Sequence, residues 1–379
     1  MSSVLSEEHV MLKDMAAGFF KEKAPVSLHR QLRDEDNIER FSRELWNEMV
    51  DMGWASIHVP EAFGGLEFGY RGVGIVMEEA GRSLAASPLL ATVAMGASAL
   101  VLGGSQQQKE TLLPAVVSGE LLLTLAIDEG PHHHPERIAL AATADGDDYV
   151  LNGSKQFVPD ASVAGKFIVA ARTAGDAGSL AGISLLLVDA DTDGVQISPR
   201  DMVDNRNTGL VTFENARVPA ANLLGEVDRG GDLLEQILDR GRVALAAEML
   251  GSMQQAFEDI LEYLKERKQF GQAIGGFQAL QHRAAKMFSD IELCKSVVAE
   301  AFTAIDEGRG DIAEMASLAK AMVNDAYHNI SCEGIQMHGG VGMTDEYNIG
   351  FYLKRARVAE QSLGSSHYHR ARFARLNGF

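Results

Sequence analysis

The residues best placed to do chemistry lie in a short basic connection between two helical patterns. Apolar residues recur at three- and four-residue steps from Leu245 to Leu264, which predicts a long helix with one buried stripe that ends by Gly271. A second helical pattern begins at Phe277. Arg267 stands between them, and its planar guanidinium suits a pyrophosphate group. An isolated arginine at a helix end is more often simply solvated, so Arg267 needs support from its surroundings.

A second candidate is the segment QMHGGVG at 336–342, which interrupts the last helical patterns. Taken alone, its glycine pattern is weak evidence for any function. The segment does not follow a predicted strand, so it is not a dinucleotide-binding turn of the Rossmann type. Three consecutive histidines at 132–134 suggest a metal ion at first sight. Consecutive residues rarely face one ion together, and we expect a loop there and no metal site.

The composition and net charge of the chain argue against several kinds of binding partner and location. The chain has 379 residues, enough for two or three domains, and a formal net charge of -19, which argues against nucleic acid or an anionic membrane as partner. It has no apolar run of about 18 residues that would span a membrane and no secretory signal pattern. The only cysteines are Cys294 and Cys332, which favours a reducing, cytoplasmic location. An anionic ligand must therefore be held by local basic residues.

The pattern of residue types changes twice along the chain. Residues 1–120 show helical spacing, 121–225 show short β-rich runs separated by Gly, Asp and Asn, and 226–379 are helical again. We therefore predict three domains at those bounds, with a mainly α fold around a small antiparallel sheet or barrel. The predicted strands cover 121–127, 139–144, 149–151, 166–171, 183–188 and 210–213.

These motifs resemble those of the acyl-CoA dehydrogenase family. RKQFGQAIGGFQ at 267–278 resembles its R-x-QFG-x-x-I-x-x-FQ signature, and QMHGGVG resembles its Q-x-x-GG-x-G element. In the N-terminal region, MGW, VPEAFGG and EEAGR follow the order found in the family, so the resemblance covers nearly the whole chain.

The resemblance implies a fold and a chemistry. The fold is an N-terminal helical domain, a small β-barrel or sheet domain and a C-terminal four-helix bundle. The reaction is the FAD-dependent α,β-dehydrogenation of an acyl-CoA thioester, with an electron-transfer flavoprotein as the usual acceptor. In the family the first motif reaches the FAD of a neighbouring subunit, and the second approaches its adenosine diphosphate half. The resemblance therefore assigns the following residues to cofactor binding: Arg267, Phe270, Gln278, Gln336, Met337, His338, Gly339 and Gly340.

The catalytic base of the family has no counterpart at either expected place. Leu363 occupies the position of the usual glutamate, and leucine cannot take a proton. The alternative position, just before Arg242, is Gly241. We therefore assign no catalytic residue. Glu248 and Glu360 are the nearby carboxylates, and each is either a relocated base or an ordinary structural residue.

The half of the family's site that holds the flavin ring is also altered. The family's T-E-P-x-x-GSD reads DEGPHHHP at 128–135, and its W-I-T reads FVP at 157–159. The hydroxyl donors are gone, and Pro159 has no N–H to offer. Features that reach a neighbour's FAD survive, whereas those that serve the chain's own flavin ring and acyl group are lost together.

This pattern resembles the base-lacking subunit of bacterial α2β2 acyl-CoA dehydrogenases, notably those of steroid catabolism. It implies a homologous partner that carries the glutamate. Three alternatives remain open: an autonomous homo-oligomer with a relocated base, a different reaction on the same fold, and a non-enzymatic scaffold.

Overall fold

The computed structural model describes residues 5–35 and 37–379. Backbone contacts divide the chain into two compact units. The bundle unit contains the described residues up to Gln31, together with Gly74–Ala85 and Arg242–Phe379. The sheet unit contains Leu32–Val73 and Ala86–Gly241. This division does not test the three predicted domain bounds, which stay a prediction. No helix of the described residues is long and apolar enough to cross a membrane.

Most of the described chain is helical. The α-helices are α1 (Glu7–Lys23), α2 (Val26–Asp34), α3 (Arg43–Asp51), α4 (Tyr70–Arg82), α5 (Ser98–Gly103), α6 (Gln106–Val117), α7 (Gly230–Glu266), α8 (Gln278–Asp306), α9 (Ile312–His338), α10 (Ile349–Gln361) and α11 (Ser366–Leu376). A π-helix covers Leu89–Ala97, and short 3-10 turns cover Glu61–Phe63, Pro135–Arg137, Ala220–Asn222, Ile274–Gly276 and Gly339–Met343.

Several helices begin where the sequence supplies a hydroxyl cap. The side chains of Ser6, Ser42 and Ser365 accept a hydrogen bond from a backbone N–H in the first turn of α1, α3 and α11. Ser105 and Gln108 form a reciprocal capping box at the start of α6. Each cap satisfies N–H groups that have no partner inside the helix, which fixes where the helix starts.

In the bundle unit, α9 packs against α8, α10 and α11. Helix α4 approaches α7 unusually closely, because glycines face the contact. A Cβ on Gly251 would lie 1.7 Å from the carbonyl oxygen of Glu78, and one on Gly81 would lie 2.0 Å from that of Glu248. No larger residue fits at either position without moving a helix.

The strands are β1 (Leu123–Ala126), β2 (Ala141–Asp145), β3 (Asp148–Pro159), β4 (Lys166–Arg172), β5 (Ile183–Asp189), β6 (Val195–Pro199), β7 (Thr208–Pro219), β8 (Leu223–Leu224), β9 (Lys268–Gln269) and β10 (Gln272–Ala273). Strands β1–β8 form one sheet in the order β6-β7-β3-β2-β4-β5-β8, with β1 paired to β4. Its core contains Leu151, Phe167, Leu186 and Phe213.

The sheet differs from the antiparallel prediction because two strands, β1 and β2, pair parallel to β4. Strand β1 runs parallel to β4, from Leu123 opposite Lys166 to Ala126 opposite Val169. The sheet is therefore mixed. Strands β2 and β3 lie between β1 and β4 in the chain, so the pairing does not join consecutive strands, and neighbouring runs in the sequence could not reveal it.

Candidate functional site

The connection after α7 is a small hairpin rather than a plain loop. Strands β9 and β10 pair antiparallel, with Gln269 opposite Gln272. The two residues between them, Phe270 and Gly271, have φ values of 51° and 81°. Two successive positive φ angles are those of a type I′ turn, the tight turn suited to hairpins.

Phe270 is placed on the tip of this hairpin at an energetic cost. A bulky side chain at positive φ is a rare conformation that persists only where the surroundings impose it. Phe270 is 89% exposed, and its ring meets that of Phe277 edge-on with centroids 6.1 Å apart. An exposed aromatic ring held in this way is available to a ligand or to another chain.

Arg267 has a fixed backbone and an exposed side chain. Its N–H donates to the carbonyl of Tyr263 at 2.9 Å, and its own carbonyl accepts from the N–H of Ile274 at 2.8 Å. The side chain is exposed, as is that of Gln278 at the first turn of α8. The hairpin therefore presents a guanidinium, an aromatic ring and an amide on its surface.

The second predicted motif ends α9. Gly339 ends the helix with φ 65°, a positive angle that favours glycine. A Cβ added to Gly339 or Gly340 would meet nothing within 4 Å. Gln336 is exposed, whereas the side chains of Met337 and His338 are buried. The exposed part of this motif is thus one amide and a stretch of open backbone, which is the surface a closely approaching ligand requires.

Tyr263 brings the two motifs to one end of the bundle unit. Its ring stacks on His338 with centroids 4.3 Å apart, and its hydroxyl donates to the His338 carbonyl at 3.2 Å. Burial lowers the pKa of His338, which keeps the ring neutral in this contact. Sequence reasoning missed Tyr263. Its spacing of four residues before Arg267 was the available signal, because it places both on one helix face.

At the predicted base position the structure has no carboxylate. Leu363 has φ 58° and is 9% exposed. Its carbonyl accepts from His369 Nε2 at 3.0 Å and from Arg242 Nε at 3.5 Å. The next carbonyl, of Gly364, accepts from the fully buried Nζ of Lys320 at 3.3 Å. The loop is held by buried basic side chains, and it contains no carboxylate that could remove a proton.

The two alternative carboxylates are both engaged in ion pairs. Glu248 and Arg355 form a bidentate pair at 2.8 and 3.0 Å, with side chains only 7% and 9% exposed. Glu360 bonds His328 Nδ1 at 3.1 Å and Arg357 at 3.3 Å. These contacts give each residue a structural role.

The loop after β1 is closed by a buried ion pair. Lys155 is fully buried, and its Nζ lies 2.7 Å from Glu129 Oε1. Burial lowers the pKa of Lys155 to about 8, while Glu129 opposes this effect. Glu129 also accepts from the backbone N–H groups of Ala139 and Leu140, both at 2.9 Å. The carboxylate therefore holds the loop rather than facing a ligand alone.

The rest of the flavin-ring region offers few donors. The Pro159 carbonyl is occupied by the Thr124 hydroxyl at 2.6 Å. Phe157 has φ 51° and is 47% exposed, so a stacking ring remains. In the loop, His133 pairs with Asp128 at 3.0 Å. Across residues 5–35 and 37–379, no group of three His, Cys, Asp or Glu side chains is arranged to hold a metal ion.

Comparison with known proteins identifies the fold. Three sequence models match the chain: the acyl-CoA dehydrogenase N-terminal domain at residues 6–120, the middle domain at 133–216 and the C-terminal domain at 228–376. A probable acyl-CoA dehydrogenase of Bacillus subtilis, YngJ, is 34% identical over 99% of both chains. The caffeyl-CoA reductase-Etf complex subunit CarC of Acetobacterium woodii is 30% identical over 93% of both.

Solved structures agree over the full length. The steroid ACAD Tcur3481-Tcur3483 aligns with a TM-score of 0.87 and 30% identity over 98% of both chains. The ChsE4-ChsE5 complex from Mycobacterium tuberculosis aligns at 0.90 with 26% identity over 100% of both. The FAD complex of PigA aligns at 0.91 with 25% identity over 100% of this chain and 99% of that one.

These matches agree with the helical N- and C-terminal regions and the central sheet described above, and they give FAD as the cofactor. The models cover well over half of the chain, and a full-length relative exceeds 30% identity. The chain is therefore a member of the acyl-CoA dehydrogenase family.

Proposed function

We propose that this chain is a base-lacking subunit of a heteromeric acyl-CoA dehydrogenase. It supplies half of an FAD site to a homologous partner that carries the catalytic glutamate. The observation that carries the proposal is an asymmetry within the chain. The surface around Arg267 and Gly340 is exposed and open, whereas the base position is leucine and Pro159 replaces a donor.

The open surface has the chemistry of a pyrophosphate and nucleotide site. Arg267 provides paired N–H donors that match phosphate oxygens. Phe270 and Gln278 offer a stacking ring and an amide on the same hairpin and helix start. The bare backbone at Gly339 and Gly340 leaves room for close contact. In this role Arg267, Phe270, Gln278, Gln336 and the 337–340 backbone contribute binding and orientation only.

Flavin, when bound, supplies the acceptor for the β-hydrogen of the acyl chain. The α-proton requires a carboxylate beside it, and the partner subunit must provide that group. Leu363, pinned by His369 and Arg242, keeps this chain's own loop out of the proton transfer.

Two of the similar structures support a second, unlike chain, since each is named for two paired proteins: ChsE4-ChsE5 and Tcur3481-Tcur3483. The latter is described as a steroid ACAD, which supports a steroid-CoA or other bulky acyl-CoA as substrate. CarC is named as a subunit of a complex with an electron-transfer flavoprotein, and this supports an electron-transfer flavoprotein as electron acceptor.

The test is flavin retention by the co-expressed complex after desalting. Arg267→Ala should weaken FAD binding about 10- to 100-fold, the loss expected for a charge-assisted hydrogen bond to phosphate. Arg375→Ala is the matched control, because Arg375 is another exposed arginine of the bundle unit, in α11. Unchanged flavin content in the Arg267 variant would rule out this half-site.

A second variant separates this function from that of an autonomous enzyme. Leu363→Glu restores a carboxylate at the base position of the family. The lone chain should still show no turnover, because Pro159 and the closed 128–135 loop leave the flavin ring without donors. Robust turnover by this single variant would show that the chain carries its own flavin.

A further inference from the structure

A nucleophilic side chain outside the candidate site lies between α9 and α10 of the bundle unit. His328 and Cys332 are four residues apart on α9 and therefore lie on one face of that helix. Arg357 of α10 meets both: its Nη2 donates to Cys332 Sγ at 3.1 Å and lies 3.1 Å from His328 Nε2. The thiol is therefore one member of a polar cluster, with a positively charged donor on its sulfur.

The two cysteines of the chain differ sharply in their surroundings. Cys332 is exposed, whereas Cys294 is 1% exposed. Burial raises the pKa of the Cys294 thiol to about 12, and the charges of Asp290 and Asp325 add to this effect. A buried thiol of this kind is inert, because the thiolate is the form that reacts. Covalent chemistry at cysteine is therefore confined to Cys332.

The charges around the exposed thiol favour a negative reagent. Lys354 is exposed one turn before Arg357 on the same face of α10. Glu360, one turn after Arg357, accepts from its guanidinium at 3.3 Å. Glu333, which follows the cysteine, is paired with Arg283 of α8. Three basic and two acidic side chains leave this patch with a positive charge, in a chain whose net charge is -19.

We propose that Cys332 undergoes reversible thiol–disulfide exchange with a small disulfide that bears carboxylates. The Cys332 thiol gives up its proton, its sulfur attacks one sulfur of the small disulfide, and the disulfide bond of the reagent breaks. One half of the reagent stays on Cys332 as a mixed disulfide, and the other half leaves as a thiolate that takes up the proton. Arg357 stabilises the negative charge on the attacking sulfur, and Arg357 and Lys354 attract the carboxylates of the reagent. This site does not depend on the proposed split FAD site.

The test follows the mass of the purified full chain at low ionic strength with two reagents: oxidised glutathione, which is anionic, and cystamine, which is cationic. Each rate is divided by that of the same reagent with 2-mercaptoethanol, which removes the intrinsic reactivity of the reagent. Oxidised glutathione should add one glutathione to each chain, at Cys332 by peptide mapping, and excess dithiothreitol should remove it. Its normalised rate should exceed that of cystamine about threefold or more, and added salt should reduce the difference. An exposed thiol without the cluster would show the opposite order, because a net charge of -19 attracts the cation.

Variants separate the cluster from the bare thiol. Arg357→Gln should slow the reaction with oxidised glutathione about tenfold, and Lys354→Gln should slow it about threefold. Arg309→Gln is the matched control and should react as the unchanged chain does. Arg309 is half-buried, as Arg357 is, but it precedes α9, and the length of that helix puts it about 30 Å from Cys332. Cys332→Ser should gain no adduct.

The proposal would be overturned by modification at Cys294, by the lack of any adduct, or by a normalised rate for cystamine that equals or exceeds that for oxidised glutathione. Unchanged rates in both the Arg357→Gln and Lys354→Gln variants would also overturn it, because the thiol would then react as an ordinary surface cysteine. The readout involves no flavin, so this proposal and the split-site proposal can fail separately.

Discussion

Replacing Glu248 by glutamine discriminates between a structural carboxylate and a relocated base. Glu248 and Arg355 are more than nine-tenths buried and share two hydrogen bonds of 2.8 and 3.0 Å. Two further basic side chains, Lys320 and Arg242, are fully buried in the same unit. Burial lowers the pKa of Lys320 well below its ordinary value; the charge of Glu360 opposes this effect, and those of Arg355 and Arg242 add to it. The buried guanidinium of Arg355 therefore depends on Glu248 for compensation.

Glu248→Gln removes that compensation and leaves the guanidinium of Arg355 buried. Breaking a buried pair in this way costs about 3–5 kcal/mol, so the denaturant midpoint should fall clearly. Glu258→Gln is the matched control on the same helix, because Glu258 pairs with Arg82 but is 52% exposed. Exposed pairs contribute about 1 kcal/mol or less.

If Glu248 were the catalytic base, Glu248→Gln would abolish turnover and leave the stability of the fold unchanged. The double change Glu248→Gln with Arg355→Gln should recover part of the lost stability, because no unpaired charge remains. An unfolding free energy of Glu248→Gln within about 0.5 kcal/mol of the unchanged chain would refute the structural role of Glu248.

Three further predictions follow from single positions. Gly340→Ala should leave the melting temperature of the chain unchanged, because a Cβ there meets nothing within 4 Å, but should lower FAD retention in the complex; equal retention would remove Gly340 from the half-site. Burial lowers the pKa of His58 to about 4 from 6.5. Between those pH values the unfolded chain binds more protons, so stability should fall by about 3 kcal/mol as pH drops from 6.5 to 4, and His58→Phe should remove this part of the pH dependence in urea titrations. Gly251→Ala should cost about 3 kcal/mol, because its Cβ would lie 1.7 Å from the Glu78 carbonyl oxygen; a midpoint equal to that of the unchanged chain would contradict the close packing of α4 on α7.

The helices could be predicted from the sequence because their buried stripes repeat with the helical period. The strands were harder to predict from the sequence. β7 extends from Thr208 to Pro219, although only 210–213 was predicted, because exposed polar residues alternate with buried ones along its second half. β6 (Val195–Pro199) was missed, since three of its five residues are exposed or polar and it has no apolar run. β6 is stabilised by its pairing with β7. The residues of β6 and their neighbours in the sequence do not reveal that pairing.

The candidate site, too, could be predicted from the sequence only in part. The family resemblance predicts Arg267 and Gly340 as site residues, and the structure brings their segments together through Tyr263 and His338. The lack of a carboxylate at the family's usual base position was visible from Leu363. The buried basic side chains around that loop, Lys320 above all, could not be predicted, because they come from helices distant in the sequence and their burial depends on packing.

The measurement that tests the central claim most directly is the visible spectrum and mass of the purified chain, alone and co-expressed with a homologue that carries the glutamate. The split-site account predicts a colourless chain alone and a yellow heteromer that holds one FAD for each pair of unlike chains. A yellow homo-oligomer formed by this chain alone would contradict it, as would a complex that stays colourless with its partner.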